Sequence, residues 1–333
     1  MNESVVVKAL TAYGVALIRL HAPQKGYRNE SFALDTATDQ TLNIIFYKSE
    51  IGILDRIHNA NAVGDFLASK GFRARRLHDS RILKLRAGKY LKYAALYDYL
   101  PGHTIPWEGY SQDHIKLLGK TMSDMHAVLK ELDRDELPEV ADEYLAIVAR
   151  MKRYFANASV QRALREKLLL GVDVGRFEQF EALLVGSKLL PGKQPLHMDF
   201  VRSNILFQDD NTDSEFKIRI SGILDFEKTA YGLPLFDIAR TLAFLLVDCK
   251  YKEPSKVRKY FLGSGYIKRG AAMLPEMHIE LLDRLVGFFL FYDFYKFLRH
   301  NPYESLPENE HFMRTVTMLI PEHLVVPTTS VAT

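Results

Sequence analysis

The sequence predicts an α+β chain in two lobes, a small antiparallel strand-rich one followed by a larger, mainly helical one. Three observations lead there. A chain of 333 residues exceeds what one hydrophobic core usually supports. Between about residues 25 and 97, apolar and polar positions alternate at strand spacing around a single helical stretch. From Ser111 onward the apolar residues recur at helical spacing instead.

The elements follow in order. Residues 1–20 fit a short amphipathic helix or an edge segment, and the pattern does not separate the two. Lys25 to Leu34 is a turn followed by alternation, with Phe32 and Leu34 on one side and Ser31 and Ala33 on the other. Asp35 to Gln40 is a turn, and Leu42 to Tyr47 a second strand. Ile53 to Gly71 predicts a helix: Ile53, Ile57, Ala60, Val63, Phe66 and Leu67 keep close to a 3.6 period, and Gly71 suits the position beyond its end. Strands follow at Arg81 to Arg86 and Tyr90 to Tyr97, and Pro101-Gly102 ends regular pairing.

Ser111 is placed to cap a helix whose apolar face holds Ile115, Leu118, Met122, Met125 and Leu129. Leu137-Pro138 breaks the chain before helices at roughly 140–156 and 159–170, and Phe177 to Leu190 is another. Phe236 to Val247 begins a helix with Asp237 near its N-terminus, where an acid is favoured. Gly287 to His300 is densely aromatic and apolar nearly all round, which predicts burial. A cage for a cationic acceptor is the other reading of those rings. Residues 321–333 read as a loosely held tail.

Composition excludes several classes. The net charge of +3, from 44 basic and 41 acidic residues, is too small to argue for nucleic acid or a membrane surface. Cys249 is the single cysteine and forms no internal disulfide, which suits a reducing cytoplasm. The N-terminus shows no signal-peptide pattern, because Glu3 precedes any base and Lys8 interrupts the apolar run. No apolar stretch reaches the roughly 18 residues a membrane helix needs.

The residues that carry chemistry lie between Leu196 and Arg240. Asp199 precedes Asn204 by five positions, and Asp225 follows Asn204 by 21. Ile205 to Phe207 and Ile218 to Leu224 read as strands around the polar turn D-D-N-T-D, a hairpin that brings Asn204 and Asp225 together. An amide oxygen and a carboxylate then form a Mg²⁺ site that phosphate oxygens and water must complete. A further carboxylate, Asp199, is placed to accept a proton from an attacking hydroxyl.

H-x-D-F-x-x-x-N-I-L (from His197), I-L-D-F-E (from Ile223) and Y-G-x-P-x-x-D-I-A (from Tyr231) recur here in order. This set resembles the aminoglycoside phosphotransferase / choline kinase-like family, whose fold is protein-kinase-like. The resemblance implies that Asp199 is the catalytic base, that Asn204 and Asp225 ligate the metal, and that His197 and Asp237 brace the loop. It implies a lobe at 1–98 that binds ATP or another nucleoside triphosphate with Mg²⁺, a hinge at 99–102, a helical lobe at 103–320 with the catalytic loop and metal site, and a tail beyond. Gly26, Arg28 and Asn29 fall in its phosphate-facing turn, and Asp98, Tyr99 and Leu100 at its adenine-facing hinge. L-G-K-T-M-S-D-M-H (Leu118 to His126) is similar to a helix of the family, with His126 read as a hydrogen-bonded packing residue.

One departure stands out. The family's third strand carries a phosphate-contacting Lys or Arg, and the next helix a Glu that pairs with it. Ile45 and Ala60 occupy those positions here. Lys48 is the nearest cation and reaches the other face only across a bulge. Arg28 is the second candidate for the charge, and Asp55 and Asp65 are the candidate acids.

The expected function is transfer of a γ-phosphoryl group to a hydroxyl of a small molecule, whether aminoglycoside, amino alcohol, homoserine or sugar. After Asp225 there is no A-P-E signature and no long loop rich in Ser, Thr or Tyr, which favours a small acceptor over a peptide. Two rivals stay open. Loss of the Lys–Glu pair suits a nucleotide-binding regulatory or scaffold protein with little turnover. A metal-dependent hydrolase on His197, Asp199 and Asp225 needs further ligands, and no H-x-H or H-E-x-x-H pattern supplies them.

Overall fold

The structure is a computed structural model that describes residues 3–25, 29–88, 90–106, 108–134, 136–212, 216–274 and 278–328. Its residues fall into two compact units. The first gathers residues 1–104 with 204–209 and 219–228, and the second holds the remainder.

In the first unit, helix α1 (Glu3–Tyr13) precedes strands β1 (Leu17–Leu20), β2 (Gln24–Lys25), β3 (Glu30–Thr36) and β4 (Thr41–Lys48). Helix α2 (Ile53–Ser69) leads to β5 (Leu83–Ala87) and β6 (Tyr90–Asp98). The opening residues are thus a helix and an edge strand in succession. Among the described residues the strands form one sheet in the order β1-β3-β4-β6-β5, with β2 also on β3. β3 and β4 are antiparallel, with Leu34 opposite Leu42 and Phe32 opposite Ile44. The turn residue Asp39 takes φ 59°, a left-handed value that an acidic turn residue tolerates.

Alternation along β4 and β6 divides the core into two layers. Ile44, Phe46, Ala94 and Leu96 join Val6, Ala9, Leu10 and Tyr13 of α1. Ile45, Tyr47, Ala95 and Tyr97 join Ile53 and Ile57 of α2. The Tyr13 hydroxyl donates to Ala94 O at 2.8 Å, so the polar tip of this α1 residue is satisfied at the sheet. The strands Ile205–Asp209 and Ile218–Ile223 pair with each other. Further bonds join them to the first hundred residues: Arg75 N–H donates to Ile223 O at 2.9 Å and Phe207 N–H to His103 O at 2.9 Å.

Gly102 suits both its backbone and its surroundings. It sits at φ 138°, and a Cβ there would lie 2.2 Å from Ser221 Oγ.

The second unit is mainly helical. α3 (Gln112–Leu129) begins at Ser111, whose hydroxyl accepts the His114 N–H at 3.2 Å. α4 (Val140–Phe155), α5 (Ala158–Ala163) and α6 (Arg176–Lys188) follow, then α7 (Leu235–Asp248), α8 (Pro254–Arg258), α9 (Ile279–His300) and α10 (Glu310–Leu319). The aromatic run of α9 is core: Phe288, Phe289, Phe291 and Phe294 are all buried. Phe291 and Phe294 pack on Phe155 of α4, and Phe288 on Phe180 of α6. Cys249, just past α7, is 3% exposed. Leu324 and Val325 are buried as well, and Val326–Pro327, although exposed, pairs with Leu170–Gly171. Among the described residues no helix is long and apolar enough to cross a membrane.

Candidate active site

The Asp199 loop is built within the second unit. Strand Gln194–Leu196 pairs with Ala230–Gly232, which delivers the chain to His197. His197 is fully buried, and its Nδ1 accepts the Asp199 N–H at 3.2 Å. An accepting Nδ1 leaves the ring proton on Nε2. Asp237, in the first turn of α7 and 1% exposed, clamps the same loop. Its Oδ2 accepts His197 N–H at 2.8 Å, and its Oδ1 accepts Met198 N–H at 2.5 Å.

Met198 stands at φ 59°, a strained setting for a side chain of its size. The two backbone bonds hold it there and set the direction in which Asp199 leaves the loop. His126 of α3 completes the clamp, with Nε2 3.1 Å from Asp237 Oδ2 and Nδ1 2.8 Å from the Tyr266 hydroxyl. Burial works to raise the Asp237 carboxyl; the hydrogen bond and charge of His126, with His197, outweigh it and hold the group below its ordinary range. His126 is thus the hydrogen-bonded packing residue its helix position predicts.

A second buried charge centre lies on α7 and α9. Arg240 donates to Asp293 Oδ1 and Oδ2 at 3.1 and 3.0 Å. Phe244, Phe289 and Tyr292 surround its guanidinium, with ring centroids 4.1, 5.4 and 5.7 Å away. The aromatic cage therefore exists, and the protein's own arginine fills it. Burial opposes the Arg240 charge, and Asp293, Tyr144 and Asp199 together outweigh it. Asp248, at the end of α7, is pushed up to about 6 by burial, although Arg202 lies 3.3 Å away.

Asn204 and Asp225 belong to the first unit. Asn204 is 7% exposed and Asp225 half-buried. Leu224 N–H donates to Asn204 O at 2.8 Å, which ties the residue before Asp225 to the start of the neighbouring strand. Asp225 takes φ 57°, a second left-handed setting at a candidate functional position. One amide oxygen and one carboxylate are hard donors that suit Mg²⁺ when phosphate and water complete the shell. Among the described residues, no group of three or more His, Cys, Asp or Glu could hold a metal ion.

Glu227, two residues on, receives the Asn29 side-chain N–H at 2.7 Å. Burial raises the Glu227 carboxyl, the Asp225 charge adds to this, and Arg75 and Asn29 oppose it. Of the three turn residues expected to face the phosphates, Asn29 is described, whereas Gly26 and Arg28 lie outside the described residues. Asp98 ends β6, where its carboxylate meets His78 Nδ1 at 2.9 Å; Tyr99 is 41% exposed. Leu100 packs near the strand at Gly222, where a Cβ would lie 3.2 Å from its own.

The departure from the family pattern is real in space. Ile45 and Ala60 are 6% and 3% exposed, so neither position offers a charge. The bulge that Lys48 requires is absent: β4 and β6 stay in register from Leu42 to Lys48, and Lys48 remains exposed. The candidate acids are used elsewhere or lie outside, with Asp65 Oδ1 accepting Leu77 N–H at 2.9 Å and Asp55 exposed.

The model of the phosphotransferase enzyme family matches residues 19–250, most of the chain. The chain belongs to that family. Solved structures agree on the fold. Amicoumacin kinase hAmiN, bound to AMP-PNP, Ca²⁺ and Ami, is 12% identical, with 99% of this chain and 96% of that one covered at a TM-score of 0.70. A microcompartment-associated aminopropanol kinase is 13% identical, with 93% and 94% covered at 0.64. The GDP complex of aminoglycoside 2'-phosphotransferase-IIIa is 16% identical, with 95% and 99% covered at 0.58. No curated protein matches. The fold is the protein-kinase-like α+β fold of this family.

Proposed function

We propose that the protein is an ATP-dependent phosphotransferase that moves the γ-phosphoryl group to a hydroxyl of a small molecule. The observation that carries this reading is the Leu224–Asn204 bond, which links the ends of the two strands bearing Asn204 and Asp225. One amide oxygen and one carboxylate make a site that a phosphate-bound metal completes, as a Mg-nucleotide does. Mg²⁺, held by Asn204 and Asp225, would supply charge neutralisation on the phosphates.

Asp199 is the base. The acceptor oxygen forms a bond to the γ-phosphorus, the bond to the leaving oxygen of ADP breaks, and the hydroxyl proton passes to the Asp199 carboxylate. The clamp by His197 and Asp237 fixes that carboxylate before substrate arrives, so catalysis is mostly positioning. Asp98 to Leu100 would meet the adenine, and Asn29 would close the phosphate side through Glu227. Amine-bearing alcohols are the first acceptors to try, since an aminopropanol kinase and an aminoglycoside phosphotransferase share the fold.

A second reading, a nucleotide-binding protein with little turnover, draws on the burial of Ile45 and Ala60. Calorimetry with Mg-ATP, beside ADP release across a panel of amino alcohols, aminoglycosides, homoserine and sugars, separates the two. Acceptor-dependent ADP release supports the phosphotransferase, and binding without any release supports the second reading. Asp199→Ala should retain nucleotide affinity and abolish transfer, while Asp225→Ala should weaken Mg-nucleotide binding itself. Transfer that survives Asp199→Ala refutes the base assignment.

A further inference from the structure

The segment after α2 brings a cation into the inner layer of the first unit. Ala74 bridges to Ile223 and Arg75 N–H bonds Ile223 O, so Arg75 is anchored to the residue two before Asp225, at the end of the strand Ile218–Ile223. The Arg75 side chain is 7% exposed. Its guanidinium stacks over the Tyr97 ring, 4.8 Å from the centroid. Tyr97 in turn shares its hydroxyl with Tyr47 at 2.7 Å and donates to Asn61 Oδ1 at 2.9 Å.

Two donors in this layer are left over. Among the described residues, Arg75 Nη2 and Asn61 Nδ2 are buried and find no hydrogen-bond partner. A buried charged donor without an acceptor is costly and rare, and calls for an explanation. Asp225 and Glu227 are near enough to act on Arg75 electrostatically, yet neither takes that Nη2 proton. That donor is therefore open to an acceptor that a ligand beside Asp225 would bring.

We propose that Arg75 is the phosphate-binding cation of this protein, contacting the polyphosphate of the nucleotide whose metal Asp225 holds. This rests on the functional reading above. The charge that Ile45 does not supply from β4 is delivered from the chain after α2, held in place by the Tyr97 ring. Ile45 and Ala60 are then apolar because the layer's cation enters by another route. Arginine suits the role, since its planar fork meets two phosphate oxygens at once.

The test compares the wild type with Arg75→Met, Arg75→Lys and, as a surface control, Arg73→Met. Each is titrated with Mg-AMP-PNP, Mg-ADP and adenosine, and its thermal midpoint is recorded. Arg75→Met should weaken AMP-PNP and ADP about 30-fold and leave adenosine within about 3-fold, and Arg75→Lys should recover part of the loss. Arg73→Met should match the wild type. Equal losses for all three ligands, following a lowered midpoint, would mean that Arg75 only supports the fold and would overturn the assignment. So would a variant that binds all three as the wild type does. A wild type that binds no Mg-nucleotide overturns the functional reading and this assignment together.

Discussion

Asp237 accepts the backbone N–H of Met198 at 2.5 Å, and Met198 is the residue held at φ 59° immediately before Asp199. A strained backbone persists only where its surroundings over-determine it. Asp237→Asn keeps the shape but puts an amide donor among three donors that now find a carboxylate. The variant should lose about 3 kcal/mol of stability. Urea unfolding at pH 7 measures it.

The sign of the pH dependence follows from the same residue. The folded Asp237 carboxyl is held below its ordinary value of 3.8. Its contribution is thus present above pH 3.8 and is lost as pH falls toward the lower folded value. The stability gap between wild type and Asp237→Asn should be constant near neutrality and shrink below about pH 4. A gap that widens on acidification would contradict the assignment.

Asp248 should behave in the opposite way. Burial raises its folded value from 3.8 to about 6, so the folded state binds its proton more tightly than the unfolded chain. Stability from this group is full below pH 3.8 and declines as pH rises toward 6, by roughly 3 kcal/mol over the window. Asp248→Asn should remove that slope. Denaturant midpoints of both proteins between pH 4 and 7 provide the check.

Gly102 and Ser221 form a third test. Among the described residues, Ser221 Oγ is buried and finds no hydrogen-bond partner. Ser221→Ala should therefore be neutral or stabilising by up to about 1 kcal/mol. Gly102→Ala should cost about 2–3 kcal/mol through both its φ and its clash with that hydroxyl. In the double variant the clash is relieved and the φ strain remains, so the two effects should not add.

What was legible in the sequence was what local pattern encodes. The two-residue period of β4 separates Ile44 and Phe46 from Ile45 and Tyr47, and those pairs enter different core layers. Ser111 caps α3 as its chemistry dictates, although His114 rather than a glutamate closes the box. The segment around Arg75 was opaque for a physical reason. Phe72 to Arg76 carries basic residues with no period, and Arg75 is buried only because residue 74 bridges to residue 223. His126 and Asp237 show the same limit, since no local pattern pairs residues 111 positions apart. Arg240 lay inside the motif-rich stretch, but the rings that enclose it come partly from α9.

The first unit is sewn from one long opening stretch and two short ones that follow about a hundred residues later. During synthesis, residues 1–104 leave the ribosome long before residues 204–209 and 219–228 exist. Until then Arg75 N–H lacks Ile223 O and His103 lacks Phe207. The nascent unit must wait about a hundred residues for these bonds, a delay that long-range topologies pay in slow folding and exposure to aggregation. A fragment cut after residue 104 is therefore an unfinished piece, and its stability would not report on the first unit.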